Sequence, residues 1–489
     1  MKSDSIRVAI IGAGISGLGV AYELIQSGFT NFVIYEALDY AGGRIHTLPF
    51  EGGHLELGAQ WIHGQEKNIL YEMASQRDLI TPIESSEGVG HFCTQDGHPI
   101  DPRLVTQVIM YLDGIKIALS NGDFKNDTDF QNGCSVADVF CQSFDKWLES
   151  KKCSQKERLL LKGIFDWFMK FETIDNSCHN LEQLSVISYT TYEQCEGIPL
   201  NNIRNGYSSM IEFFTESLPD DSIKLNTPVK QLMYDLSDSK VTLSFGPGKA
   251  EEQFDHVIIT SSLGFLKSNV DSFFHPPLPK RKSQVVKSLG FGTVNKIYML
   301  FSRPFWNKID LGFQLVWLDM DDSYPTWAYD ISGIDTVHGQ PNVLVAWIGG
   351  EGAEMIESET DETVLNVLER LLKTFLSHTV SEQVQKPIKM VRTSWCSNNF
   401  IKGSYSNRTK EYEESGMTLD DLISPITHTE DSEWPLILFA GEATSEKFFS
   451  TTHGALESGF REANRLLQFW SKRNIFKSSG QKSLIISDL

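Results

Sequence analysis

Gly12, Gly14 and Gly17 stand at the G-x-G-x-x-G spacing, and Glu36 follows near the separation of about 20 residues at which a carboxylate grips ribose hydroxyls. The first glycine permits a tight turn, the second admits a pyrophosphate to the backbone, and the third lets a helix pack closely on the preceding strand. Gly42, Gly43 and Arg44 come soon after the carboxylate, where a glycine turn and a permanently charged guanidinium can reach the same pyrophosphate from its other side. Such residues serve dinucleotide binding. The glycine pattern alone also serves NAD enzymes, but NAD sites rarely need the second clamp.

These residues need a strand, a helix and a second strand to hold them. Val8 to Ile11 is an apolar run with two β-branched residue types, bounded by glycine, and reads as a short buried strand. The spacing of Leu18, Tyr22 and Ile25 predicts a helix from about Ile15 to Ser27, with Gly28 as its stop. Its N-terminus directs partial positive charge at the phosphates. Phe32 to Tyr35 is the second strand and delivers Glu36 at its tip.

From "YEALDYAGGRIHT" onward the chain resembles the flavin-containing amine oxidases. "ELGAQWIHG" (Glu56 to Gly64) and "LFAGEATSEKFFSTTHGALESGFREANRL" (Leu438 to Leu466) are similar to the polyamine oxidase branch, and the resemblance extends to about residue 472. It implies an α/β fold, in which a Rossmann-like FAD-binding domain interleaves with an α+β substrate domain built on a mostly antiparallel sheet. The FAD domain would comprise 1–80, 205–285 and 430–472, and the substrate domain 81–204 and 286–429. Helix-like segments fill much of 100 to 175, strand-like runs return at "KLNTPVKQLMYDL", "KVTLSF" and "HVIIT", and alternating stretches from about 290 to 405 suggest the second sheet. The polar tail after Arg473 is expected to be mobile.

The same resemblance places FAD against Gly12, Gly14, Ser16, Gly17, Glu36, Gly43, Arg44, Gly58, Ala59, Gln60, Trp61, Trp395, Glu442, Thr451 and Thr452. Val229 would offer its backbone to the adenine, in a run that closes the nucleotide domain's sheet. Ser404 stands where covalent monoamine oxidases carry a cysteine, so the FAD is expected to be non-covalent. Lys296 interrupts an apolar strand, where a charge is costly without a partner. The family's lysine there reaches flavin N5 through a water. Tyr405 would form one wall of an aromatic cage, while Thr451 replaces the aromatic wall that faces it in monoamine oxidases. Trp395 would line the flavin, and His63 would lie near the substrate amine as a polar group rather than a metal ligand. Glu172, Asp175 and Ser177 suit either a distal ammonium or a solvated loop.

The implied reaction is removal of hydride from the carbon beside a polyamine nitrogen, hydrolysis of the iminium to an aldehyde and a shorter amine, and reduction of O2 to H2O2. Spermine, spermidine and their N1-acetyl forms are the substrate set. The rivals are a histone-lysine demethylase-like oxidase and a redox-silent FAD-binding scaffold.

Composition narrows the partners. The chain has 489 residues, 40% of them hydrophobic, which is enough for two cores. A formal net charge of −21 repels nucleic acid and anionic membranes and would concentrate a cationic ligand. No apolar stretch approaches the length of about 20 residues needed for a membrane helix, and the nucleotide strand begins too near Met1 for a signal peptide, so a cytoplasmic protein is expected. The ending Ser487-Asp488-Leu489 resembles a peroxisomal signal with an acidic middle residue, which keeps the peroxisome as the alternative. Seven cysteines without a C-x-x-C pair suggest free buried thiols, and neither they nor the twelve histidines show metal-ligand spacing. The oligomeric state is not legible.

Overall fold

The computed structural model describes residues 6–126, 134–429 and 433–476. The expected tail beyond 476, including the Ser487–Leu489 ending, lies outside the described residues, as does the boundary placed at 430.

Val8–Ile11 is the inner strand of a six-stranded sheet, pairing in parallel with Phe32–Tyr35 on one side and His256–Ile259 on the other. Pro435–Phe439 adds a further parallel strand, Ile223–Lys224 forms one edge, and Ile426–Thr427 closes the other in the antiparallel sense. Alternate residues enter opposite cores. Val8, Ile10, Ile34, Ile258 and Leu438 pack to one side, and Ala9, Ile11, Tyr35, Val257, Ile259 and Ile437 to the other. A strand buried on both faces needs the near-continuous apolar run seen in the sequence. The run containing Val229 does not close this sheet. Its strand, Gln231–Tyr234, belongs to a separate four-stranded sheet with Val241–Ser244, Glu252–Phe254 and Phe274–His275. The intervening "NTP" breaks the strand pattern and allows the chain to leave the main sheet.

The helix Ile15–Gln26 crosses the C-terminal helix Thr452–Lys472 at small residues. A Cβ on Gly459 would fall 2.2 Å from the Ser16 carbonyl oxygen, and one on Gly19 would meet Leu456 Cδ1 at 2.7 Å.

The second large sheet runs in the order Lys389–Arg392, Asn295–Leu300, Gln340–Ile348, Ile331–Val337, Gly312–Val316 and His91–Thr94. All its pairings are antiparallel except the last, where His91–Thr94 joins in parallel from far upstream. Three helices, Pro102–Asn121, Val136–Glu149 and Gln155–Asp175, share a core of their own around Phe140, Phe144 and Trp167. Trp167 ties that core to the sheet by donating its indole N–H to Ser332 O at 2.9 Å.

Candidate active site

One cavity of about 480 Å³ is lined by residues from both ends and the middle of the chain. At Gly14 an added Cβ would meet only Gly42 O, at 3.9 Å, so the backbone there borders open space. Gly14 also precedes the helix Ile15–Gln26 without a side-chain cap, and the first turn carries no acidic residue, which suits an anion at the helix N-terminus. Ser16 lines the same surface.

Gly12 and Gly17 shape this surface without lining it. Gly12 takes φ +110°, and a Cβ on Gly17 would lie 2.0 Å from its carbonyl oxygen. Gly43 also stays behind the lining, while the neighbouring Gly42 N–H donates to Ala13 O at 2.8 Å and joins the two glycine turns. Glu36 is buried, and its carboxylate accepts from Ala13 N–H at 2.6 Å and Leu38 N–H at 2.8 Å. It therefore supports the glycine loop from below. Val229 is buried and does not line the cavity.

Arg44 does line it, donating from Nη1 to Ser404 O at 2.8 Å and to Glu442 Oε1 at 2.9 Å. Glu442 also accepts from Ser406 Oγ at 2.6 Å and Ser450 N–H at 2.9 Å. The Ser404 hydroxyl is engaged by the Val294 backbone, accepting from its N–H and donating to its carbonyl.

Lys296 rises from the strand Asn295–Leu300 and is 5% exposed. Its Nζ donates to Glu56 O at 2.9 Å, Gly58 O at 2.8 Å and Gln60 Oε1 at 2.8 Å. These acceptors engage all three ammonium protons, so a contact toward a cofactor requires one of them to be shared. Burial lowers the Lys296 pKa, opposed by the Glu56 and Glu87 carboxylates; burial likewise raises Glu56. Ala59 and Trp61 continue the wall, with Trp61 stacked on Trp347 at 6.0 Å between ring centres.

Tyr405 and Trp395 both face the cavity. Tyr405 Oη donates to Ile174 O at 2.7 Å near the end of the helix Gln155–Asp175, and Trp395 Nε1 donates to Leu57 O at 3.2 Å. Thr451 caps the helix Thr452–Lys472 by accepting from Gly454 N–H at 3.0 Å, and Thr452 bonds Tyr207 Oη. His63 points into the cavity, where enclosure lowers its pKa despite the opposing pull of Asp175.

The three residues expected to meet a distal ammonium separate. Asp175 lines the cavity, 3.5 Å from Lys116. Glu172 does not, because Lys116 on the helix Pro102–Asn121 covers it at 2.6 Å and Tyr189 Oη bonds it at 2.8 Å. Its burial leaves no free face for a substrate. Ser177 is fully buried with φ +43°, its hydroxyl without a partner, and its carbonyl accepts from Asn407 Nδ2 at 2.8 Å. The chain turns there, placing Asn176 on the cavity and Ser177 behind it.

Sequence reasoning missed Glu87, Lys116, Phe171, Tyr192, Trp347 and Phe449 in the lining. Trp347 left a trace as an interior residue of an alternating stretch between 290 and 405, and Phe449 lies inside the quoted motif from Leu438 to Leu466. Among the described residues no group of His, Cys, Asp or Glu forms a metal site, and no helix is long and apolar enough to cross a membrane. All seven cysteines are unpaired, three of them buried, whereas Cys141 is exposed.

Residues 15–467 match the flavin containing amine oxidoreductase family. The chain belongs to it. FAD is therefore the cofactor of this amine oxidoreductase, and the open backbone at Gly14, the uncapped helix N-terminus and the Arg44 guanidinium form a donor set that fits a pyrophosphate. The oxidoreductase is 30% identical to the human peroxisomal N(1)-acetyl-spermine/spermidine oxidase over 95% of each chain. It is 28% identical to the probable polyamine oxidase 5 of Arabidopsis thaliana, over 95% of this chain and 98% of that one. In fold it is similar to a putrescine oxidase solved with putrescine, with a TM-score of 0.68 at 19% identity over 95% of this chain and 99% of that one.

Proposed function

We propose that the protein is a polyamine oxidase acting on spermine, spermidine or their N1-acetyl forms. The observation that carries this reading is a single cavity lined by both the Arg44 and Lys296 surface and the Asp175 carboxylate, with Tyr405, Trp395 and Trp347 among its walls. A molecule with several separated amines matches that combination, since one nitrogen must react among neutral groups while another is held by an anion. The names of the human and Arabidopsis relatives support the same substrate class.

FAD bound non-covalently in this cavity supplies the acceptor for the hydride leaving the carbon beside the nitrogen, and dioxygen takes up the electrons. The protein's own residues do the rest. Tyr405 and Trp395 wall the reacting carbon and limit water around it during the transfer, and the iminium that results is hydrolysed afterwards. Lys296 supplies a buried amine whose lowered pKa lets it lend or hold a proton, with Gln60 Oε1 as its side-chain acceptor. His63, whose pKa is lowered by desolvation, offers a polar contact that does not force the reacting amine to stay charged. The cofactor-binding segments are 1–80, 205–285 and 430–472 and the substrate segments 81–204 and 286–429, with the cytoplasm as the compartment.

The deciding experiment mixes the purified holoenzyme anaerobically with spermine, spermidine and N1-acetylspermine and follows visible flavin absorbance, then identifies the aldehyde and amine products after oxygen is admitted. Bleaching by at least one, with peroxide formed on aeration, is expected. A flavin left oxidised by all three refutes the reading.

A further inference from the structure

The cavity holds a carboxylate to which the reading above gives no task. Glu87 precedes Gly88, which takes φ +63° and packs so tightly that a Cβ would meet Phe171 Cε2 at 2.8 Å. Phe171 lies on the helix that ends at Asp175 and also lines the cavity, so this turn is pinned beside that helix. The Glu87 side chain faces the same space as Asp175, Lys116 and His63. Among the described residues it makes no hydrogen bond or ion pair with protein, and it is only partly exposed within the cavity.

The other anions around this space have partners. Glu442 is held by Arg44 and Ser406, and Glu172 by Lys116 and Tyr189. Lys116 sits 2.6 Å from Glu172 and 3.5 Å from Asp175, so its charge is engaged with those two residues. An enclosed carboxylate without a partner keeps a proton until a cation arrives. Enclosure and the nearby Asp175 and Asp335 carboxylates push Glu87 up to about 8, against the opposing influence of Lys296 and Lys116.

We propose that Glu87 is a specificity-determining carboxylate that, together with Asp175, seats an ammonium group of the substrate other than the nitrogen being oxidised. This rests on the polyamine reading and assigns it a residue that is unremarkable in sequence. Occupation by the ammonium drives ionisation of Glu87, and its proton passes to the solvent. Apart from this transfer of the carboxyl proton to solvent, no covalent bond is made or broken. A substrate whose distal nitrogen is acetylated carries no charge there and gains nothing from the seat.

The test uses dithionite-reduced holoenzyme under anaerobic conditions, which binds amines without turning them over. Spermine is titrated calorimetrically near pH 7 in two buffers of different ionisation enthalpy, which yields both affinity and protons released. Glu87→Gln is expected to bind spermine about tenfold more weakly and to release up to about one proton fewer per site, with N1-acetylspermine less affected. Glu87→Asp is expected to keep most of the proton release, which a purely structural role for the side chain would not produce. A normal flavin-to-protein ratio in both variants confirms their folding, and Glu87→Asp decides the matter if Glu87→Gln loses its flavin. Unchanged affinity and proton release in Glu87→Gln would overturn the seat while leaving polyamine oxidation intact. A parent enzyme that neither binds spermine nor is reduced by it would overturn both.

Discussion

Lys296 and Trp347 are direct partners across adjacent antiparallel strands, and the lysine Nζ lies 4.7 Å from the centre of the indole ring. The aromatic face and three oxygen acceptors together offset part of the cost of enclosing an amine. Register therefore does what sequence proximity cannot, delivering an aromatic wall and an amine to the same side of the site.

Replacing that amine separates its chemical role from its structural one. Lys296→Met fills a similar volume and is expected to retain flavin while slowing reduction by spermine or reoxidation by oxygen about tenfold or more, equivalent to ~1.4 kcal/mol or more of barrier. Stopped-flow absorbance resolves the two half-reactions. Parent-like rates in both would confine Lys296 to holding Glu56, Gly58 and Gln60 in place.

The Ser404 hydroxyl is engaged with the Val294 backbone and offers no thiol for a flavin linkage. Precipitating the holoenzyme with acid should release its yellow flavin into the supernatant. Flavin retained in the washed pellet would contradict non-covalent binding.

Asp175 shares Lys116 with Glu172 at the longer of the two distances, 3.5 Å against 2.6 Å. Asp175→Asn is therefore expected to lower kcat/KM for spermine by roughly 1 to 2 kcal/mol, the scale of a partly hydrated charge pair, and to spare N1-acetylspermine. Equal losses on both substrates would point to a general structural role.

Gly17→Ala would place a methyl group 2.0 Å from a backbone oxygen, where no rotamer change gives relief. A stability loss of about 1–3 kcal/mol and a low flavin content are expected. Thermal unfolding and the flavin-to-protein absorbance ratio measure both, and full flavin occupancy would show that the glycine loop yields.

His256 is fully buried between Trp470, whose indole N–H donates to its Nε2 at 3.1 Å, and the Pro435 carbonyl, which Nδ1 faces. Burial lowers its pKa to about 4. Between the unfolded value near 6.5 and the folded value, the unfolded chain binds the extra proton, so the contribution of this histidine to stability falls as pH drops through that window. The full span corresponds to about 3 kcal/mol. Urea unfolding at pH 7 and pH 4.5 should show a smaller pH-dependent loss in His256→Gln than in the parent; identical losses would remove His256 as a source.

The nucleotide half of the site is legible because its instructions are local. The strand at Val8–Ile11, the three glycines and the strand ending at Tyr35 form one short uninterrupted unit, each part confirming the others. The substrate half is not local. Glu172 and Asp175 stand three residues apart on one helix and look equivalent, but Lys116 arrives from another helix, covers the first and leaves the second facing the cavity. Glu87 escapes notice because a carboxylate in a polar turn is ordinary until Phe171 and the cavity walls close around it. The sheet joined by the strand after Val229 is misread for a related reason, since strand propensity marks Gln231–Tyr234 but not its neighbours.

The crossing of the first and last long helices also bears on how the enzyme is made. Gly14 is synthesised long before Glu442, Thr451 and Thr452, which line the same cavity. At roughly 5–20 residues per second, those partners follow some 20–90 seconds later. A nascent chain holds half a cofactor site throughout that interval, with Gly19 and Ser16 waiting for Leu456 and Gly459. The complete cavity therefore exists only once the last helix is made, and a chain truncated before residue 440 is expected to retain little flavin.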